Sequence, residues 1–215
     1  MQLGASVPVG DIGTGPAPLR DYAQAAESLG YTYLLAPDHV LGGNPGVDYG
    51  GKRSAEQVRF MQALWAEPHT TFKGEFHQLD DGGINPRPKS GRVPVWFGGH
   101  AEATFKRAAK YGDGFMPLQY PAGDDALKAF DKLRGLIKAE GRDPAAVGLE
   151  VWVSPGKGTP DDWRKEFTFW KKAGVTHVTC HTTYVSNHHK RIAGKTYADH
   201  LDAITRYRAA VVDLL

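Results

Sequence analysis

The chain has 215 residues, a formal net charge of +2, and 41% hydrophobic, 23% charged and 11% aromatic side chains, a mix that builds an ordinary globular core and excludes a disordered chain, a collagen or a disulfide scaffold. The lone cysteine, Cys180, excludes an internal disulfide and is compatible with a reducing compartment. The charge is too mild to argue for a nucleic acid or an anionic membrane as partner, no apolar run approaches the roughly 18 residues of a membrane span, and the first residues have no signal-peptide core; the expectation is a soluble, cytoplasmic protein.

Short apolar runs alternate with helical ones along the chain. Residues 3–8 read as a strand, followed by a Gly/Pro-rich loop over 10–18. Leu19, Tyr22, Ala23, Ala26 and Leu29 keep helical spacing, and Gly30 stands where a C-terminal cap belongs. Residues 31–36 form the second predicted strand, stopped by Pro37. A second helix is predicted to open at Ser54, with Gln57 at capping-box spacing and Val58, Met61, Leu64 and Trp65 as its apolar stripe. The stretch 68–92 is irregular, with hairpin character around Phe72-Lys73-Gly74-Glu75-Phe76.

Further strands are predicted over 93–97, 114–117, 148–153 and 175–180. Helices are predicted over 101–111 and 125–140, after Thr159-Pro160, and around Tyr197, Leu201, Ile204 and Val211. Six strands alternating with six helices point to a parallel sheet covered by helices. Doubly wound sheets and (β/α)8 barrels both fit, and the chain is short for a barrel of about 250 residues. No linker stands out, so a single domain over 1–215 is expected.

Two places carry candidate chemistry. Asp38-His39 follows the C-terminal end of the second strand, where parallel α/β folds bind ligands. A histidine there can act as acid, base or hydrogen-bond donor near neutral pH. A turn role, with Asp38 capping backbone and His39 packing, is the commoner use of such a pair. In Trp96-Phe97-Gly98-Gly99-His100-Ala101-Glu102 a strand ends in two glycines and a helix begins at once. That brings free N–H groups and a positive dipole end within reach of a phosphate; a tight turn needing glycine fits equally. Gly10-Asp11-Ile12-Gly13-Thr14-Gly15 does not match the dinucleotide fingerprint. Cys180-His181 and His188-His189 lack the spacings of a metal site, so no metal is expected. His181 stands at the ligand end of its strand, and Cys180 reads as an inert core thiol.

Several ordered motifs together resemble the bacterial luciferase-like family of flavin- and deazaflavin-dependent oxidoreductases, in its F420-dependent branch. They include Gly4-Ala5-Ser6-Val7-Pro8, Ala25-Ala26-Glu27-Ser28-Leu29-Gly30-Tyr31, Pro37-Asp38-His39-Val40-Leu41-Gly42, Phe72-Lys73-Gly74-Glu75-Phe76-His77, Ile84-Asn85-Pro86-Arg87-Pro88, Pro94-Val95-Trp96-Phe97-Gly98-Gly99-His100 and Gly112-Asp113-Gly114-Phe115-Met116-Pro117. The resemblance covers most of the chain through Pro117 and thins afterwards. It implies a TIM-barrel-like (β/α) fold with the cofactor, F420 or FMN, at the C-terminal ends of the strands. It implies that Asp38 lies against the cofactor ring and His39 serves as acid/base near the reacting centre. It implies that Gly98, Gly99, Ala101 and Glu102 hold the ribityl-phosphate end, with an organic small molecule as substrate.

The chain departs from that pattern between the Asp-His strand and the Ser54 helix. About two βα units are absent there, with an apparent internal deletion near 42–46, leaving about six strands instead of eight. In the family this part supplies a cis peptide that supports the ring, polar residues of the fourth strand and part of the dimer surface. Open sheet edges would invite a homo-oligomer. A non-catalytic flavin- or F420-binding protein and an inactive remnant of the family stand beside the oxidoreductase as readings.

Overall fold

The computed structural model describes residues 1–36, 51–117 and 120–215. In chain order the elements are β1 (Gln2–Ser6), the single turn α1 (Val9–Ile12), α2 (Pro16–Ser28), β2 (Tyr33–Leu35), α3 (Gly51–Ala66), β3 (Thr70–Lys73), β4 (Gln78–Gly82), β5 (Trp96–Gly98), α4 (Glu102–Tyr111), β6 (Gly114–Met116), α5 (Asp124–Ala139), β7 (Gly148–Val153), α6 (Pro160–Lys172), β8 (His177–Cys180) and α7 (Tyr197–Val211). Setting aside the β3–β4 hairpin, this is the strand–helix alternation of a TIM-barrel-like fold. It is incomplete: six such strands occur among the described residues, where a closed barrel has eight. The chain groups into two compact units, Met1–Val40 with Met116–Ala129 and Gly148–Leu215, and Leu41–Phe115 with Phe130–Val147.

The first unit is built on parallel strands in the order β2-β1-β8-β7. Alternation along each strand sorts the side chains into two sets. Leu3, Ala5, Leu149, Val151, Val153, Val178 and Cys180 are buried, as are Tyr22 and Ala26 of α2, Trp163, Phe167 and Trp170 of α6, and Ile204, Tyr207 and Val211 of α7. α7 packs on both α2 and α6. Each large side chain fully buried contributes roughly 1.5–3 kcal/mol, so this apolar layer dominates the unit's stability. Tyr31 adds a polar tie, its hydroxyl donating to the Ile204 carbonyl at 2.8 Å. Cys180 is fully buried and its thiol is pushed up to about 12, which leaves it inert.

Local chemistry explains the helix starts. Thr159 and Asp162 form a reciprocal capping box with Pro160 at the first helical position, and Gly174 at φ +79° follows the end of α6. Thr196 and Asp199 repeat the device at α7. The predicted loop over 10–18 is instead one turn of α1 followed by α2 from Pro16. Pro16 and Pro18 sit in the first turn, where a missing N–H loses no intrahelical bond.

In the second unit α3 starts at Gly51, ahead of Ser54, so Ser54 lies within the first turn and the expected capping box is not the helix start. β3 and β4 pair antiparallel, as the hairpin reading expected. Glu56 of α3 fixes this hairpin: its carboxylate accepts the N–H groups of Glu75, Phe76 and His77 at 2.7, 2.8 and 2.7 Å. β5 and β6 are neighbours, and the Trp96 ring occupies the space above Gly114 where a side chain would stand. Phe105 and Phe115 pack at 4.7 Å between centroids, and Phe130, Leu133 and Ile137 of α5 are buried. Arg142 closes the C-terminus of α4, donating to the carbonyls of Ala109 and Gly112 at 2.7 Å each. Among the described residues no helix is long and apolar enough to cross a membrane.

Candidate functional site

The first unit brings four strand ends together. Adding a Cβ to Gly4 would drive it into the Tyr33 ring, so Gly4 and Tyr33 share one face of the sheet. On that face the Tyr33 hydroxyl lies 2.9 Å from Thr179 Oγ1, and Thr179 donates to Glu150. Glu150 is buried, and burial pushes its carboxyl up, partly offset by the Thr179 hydroxyl. Two residues further along each strand, alternation places Ser6, Leu35, Trp152 and His181 on the same face, nearer the C-terminal ends.

His181 is 6% exposed, and burial pushes its imidazole down to about 4, so it is neutral at pH 7. Its ring lies 5.0 Å from Trp152 and 5.7 Å from Tyr184, and Nδ1 is 3.2 Å from Thr183 Oγ1. Ser6 is 1% exposed and its Oγ has no hydrogen-bond partner among the described residues. A buried hydroxyl with no partner among the described residues and a neutral imidazole, at the ligand end of a parallel sheet, form a polar patch suited to a ligand edge.

Behind these ends lies a second layer of polar contacts. His200 is fully buried, with Nδ1 2.7 Å from Thr182 Oγ1 and Nε2 3.0 Å from Asp11 Oδ2. Arg191 donates to the same Asp11 oxygen at 2.5 Å. Burial pushes the Asp11 carboxyl up, but the hydrogen bonds and charges of Arg191 and His200 outweigh it and hold Asp11 below its ordinary value. The network ties the turn after β1 to the segment after β8. Sequence reasoning missed it, because its members are far apart in the chain.

The second unit holds the glycine turn. β5 ends at Gly98, Gly99 takes φ +125°, and Ala101 is an extended N-cap with no side-chain cap on α4. Gly98, Gly99, Ala101 and Glu102 are thus brought into one strand–turn–helix unit. The Glu102 side chain is turned to cations, paired with Lys132 and 4.0 Å from Lys106. Only its main chain can therefore serve an anion. One turn into the helix, Arg107 Nη2 donates to Thr104 Oγ1 at 3.2 Å, and Arg107 Nε is buried without a partner among the described residues. A helix start without a side-chain cap, a glycine at positive φ and a guanidinium N–H without a partner among the described residues fit a phosphate. Arg107 was not foreseen from the sequence.

Asp38 and His39 lie outside the described residues. Among the described residues no three His, Cys, Asp or Glu side chains are grouped to hold a metal ion.

Fold and strand ends define a parallel β/α protein of the barrel type, with its candidate chemistry where such folds bind cofactors. The family follows from the sequence: the luciferase-like monooxygenase family matches residues 43–211, and the chain belongs to that bacterial luciferase-like family. It is 30% identical over 194 residues to the F420-dependent glucose-6-phosphate dehydrogenase of Kineococcus radiotolerans, covering 82% of this chain and 55% of that enzyme. It is 35% identical over 104 residues to the pyrimidine monooxygenase RutA of Allorhizobium ampelinum, covering 47% of this chain and 28% of that enzyme. Among solved structures, an F420-dependent secondary alcohol dehydrogenase in complex with an F420–acetone adduct shares the fold, with TM-score 0.70 at 14% identity, over 98% of both chains. The chain spans about half or less of the length of these curated relatives.

Proposed function

We propose that the chain is an oxidoreductase using a flavin-type cofactor, transferring a hydride with F420 or oxygenating an organic substrate with reduced FMN. The observation that carries this reading is the Gly98-Gly99 turn leading into the start of α4, which has no side-chain cap, with an Arg107 N–H that finds no partner among the described residues. When bound, such a cofactor supplies hydride chemistry as a deazaflavin, or oxygen chemistry as a reduced flavin.

The protein's part is binding, orientation and proton handling. Gly99 lets the main chain approach the phosphate. The N–H groups of the first α4 turn and Arg107 oppose its charge. Asp38 and His39 are assigned to the ring end, with His39 as acid/base. The Asp38-His39 pair favours F420 in this reading. His181, neutral and lodged against Trp152, can donate or accept one hydrogen bond without adding charge.

A second reading, stoichiometric cofactor binding without turnover, rests on the internal gap that the sequence pattern shows near residues 42–46. Pairing of two copies through open sheet edges, and a cytoplasmic location, belong to the same proposal.

A titration of the purified chain with FMN and with F420, followed by fluorescence, tests it. Micromolar binding of one cofactor is expected. Binding with turnover supports the oxidoreductase, and binding without turnover supports the carrier. A folded sample that binds neither is an inactive remnant, and the reading falls.

A further inference from the structure

We propose a binding site for an uncharged, flat aromatic molecule in a cavity of about 530 Å³ bounded by the β7–α6 loop, α6 and the segment after β8. Its volume lies within the range of small-molecule sites. The site goes beyond the cofactor reading and rests on its own lining.

The formal charges of the lining cancel. Two carboxylates, Asp162 and Glu166, face the cavity together with two ammonium groups, Lys157 and Lys165. Asp162 accepts from Thr159 N at 2.9 Å and from Thr159 Oγ1 at 2.8 Å. Those bonds, with the nearby charge of Lys165, hold its carboxyl below the ordinary value. Glu166 Oε1 lies 3.0 Å from His189 Nε2 and 3.3 Å from Trp170 Nε1. A ligand of either sign would give up its hydration to a wall with no surplus of the opposite charge, and that desolvation disfavours it.

The buried polar side chains of the wall already have partners within it. Ser154 donates to the Lys190 carbonyl at 2.5 Å and accepts from the Gly156 N–H at 3.1 Å. Trp163 donates its indole N–H to the Lys157 carbonyl at 2.8 Å, and His189 is held by Glu166. These bonds, with the Thr159–Asp162 capping box, also fix the β7–α6 loop, so this side of the cavity is preformed. Carbon is what the wall has left to offer. The half-buried ring of Phe169 lines it with the indole of Trp163, Pro121 and Ala122. A flat aromatic body buries apolar surface against these groups and can stack on Phe169. An apolar lining with its polar groups internally satisfied selects for shape and apolar contact rather than for charge.

The test titrates cofactor-free protein at about pH 8, where ordinary imidazoles are neutral, with 2-naphthamide and with two charged isosteres, 2-naphthoate and 2-naphthylmethylammonium. Calorimetry and tryptophan fluorescence read the binding. Saturable binding of the amide is expected, with each charged isostere weaker by about fivefold or more. Phe169→Ala is expected to weaken the amide by about tenfold. Equal or tighter binding of either charged isostere, no saturable binding of the amide, or full affinity in Phe169→Ala overturns the proposal. Should Phe169→Ala melt lower than the wild-type chain, Ala122→Trp decides in its place. That position is exposed, and an indole there occupies the cavity. Loss of amide binding is expected in that variant, and unchanged affinity overturns the proposal. Flavin and F420 are absent from this titration, so its failure is distinguishable from a failure of the cofactor reading.

Discussion

His200 Nε2 and Asp11 Oδ2 stand 3.0 Å apart although 189 residues separate them in the chain. With Thr182 on the other ring nitrogen and Arg191 on the same carboxylate, they join the turn after β1 to the segment after β8. Removing the carboxylate leaves a guanidinium without its partner and a fully buried imidazole half satisfied. Asp11→Ala is expected to lower stability by about 2–4 kcal/mol, read as a shift of the urea midpoint. Asp11→Asn, which can still accept from His200, is expected to lose less. A midpoint unchanged in Asp11→Ala would show that the segment is held by other contacts.

Glu56 is the only side chain among the described residues that gathers three backbone N–H groups. Burial alone would raise its carboxyl, but the N–H groups of Phe76, Glu75 and His77, with the His77 ring, hold it below its ordinary value. The sign follows from linkage: this stability is present above the unfolded value near 4.5 and is lost as pH falls through the lower folded value. Glu56→Gln is expected to lower the melting temperature by several degrees at pH 7, with the difference from wild type shrinking in acid. Hydrogen exchange at Glu75, Phe76 and His77 reports it locally. Gly74→Ala should act alike, since a Cβ there would strike the Glu56 carboxylate.

His181 predicts a second acid-dependent loss. Its folded value of about 4 lies below the ordinary 6.5, so the unfolded chain takes a proton first as pH falls. Stability is unaffected above pH 6.5 and declines from there to about pH 4, by on the order of 3 kcal/mol in total. His181→Phe is expected to reduce the proton uptake on unfolding near pH 5 by about one. Burial also lowers His177 and His200, so a smaller slope should persist. An identical pH profile in the variant would mean that the imidazole is charged in the folded chain.

Gly99 separates space from backbone strain. A Cβ there would meet Thr104 at 3.6 and 3.8 Å, an ordinary contact, whereas φ +125° is hostile to any L side chain. Gly99→Val is therefore expected to cost about 1–3 kcal/mol and to weaken FMN or F420 binding by about tenfold or more by misplacing the turn. Unchanged cofactor affinity in a folded variant would remove the phosphate role from this turn.

Much of the architecture was legible locally. Thr159-Pro160 followed by Asp162, with Trp163, Phe167 and Trp170 at helical spacing, specifies the start and buried face of α6 without outside help. Gly30 and Gly174 at positive φ mark where chain segments turn, as their places after helical runs imply. The glycines of 98–99 and the helix start behind them were equally readable, because a turn at positive φ leaves a residue-type signature. The start of α3 was not, since Ser54 offered a plausible cap while three further residues extended the helix.

What the sequence by itself determined is the strand–helix alternation, the family, and the glycine turn, all carried by residues within a few positions of each other. Only the tertiary structure decided which polar groups meet. Glu56 with the hairpin amides, Asp11 with His200, Thr179 with Glu150, and Glu166 with His189 are pairings between distant segments. Buried donors and acceptors must find partners, but no local rule says which ones. The sequence names the groups, and packing alone sets the distances that turn them into an ion pair, a cap or the wall of a cavity.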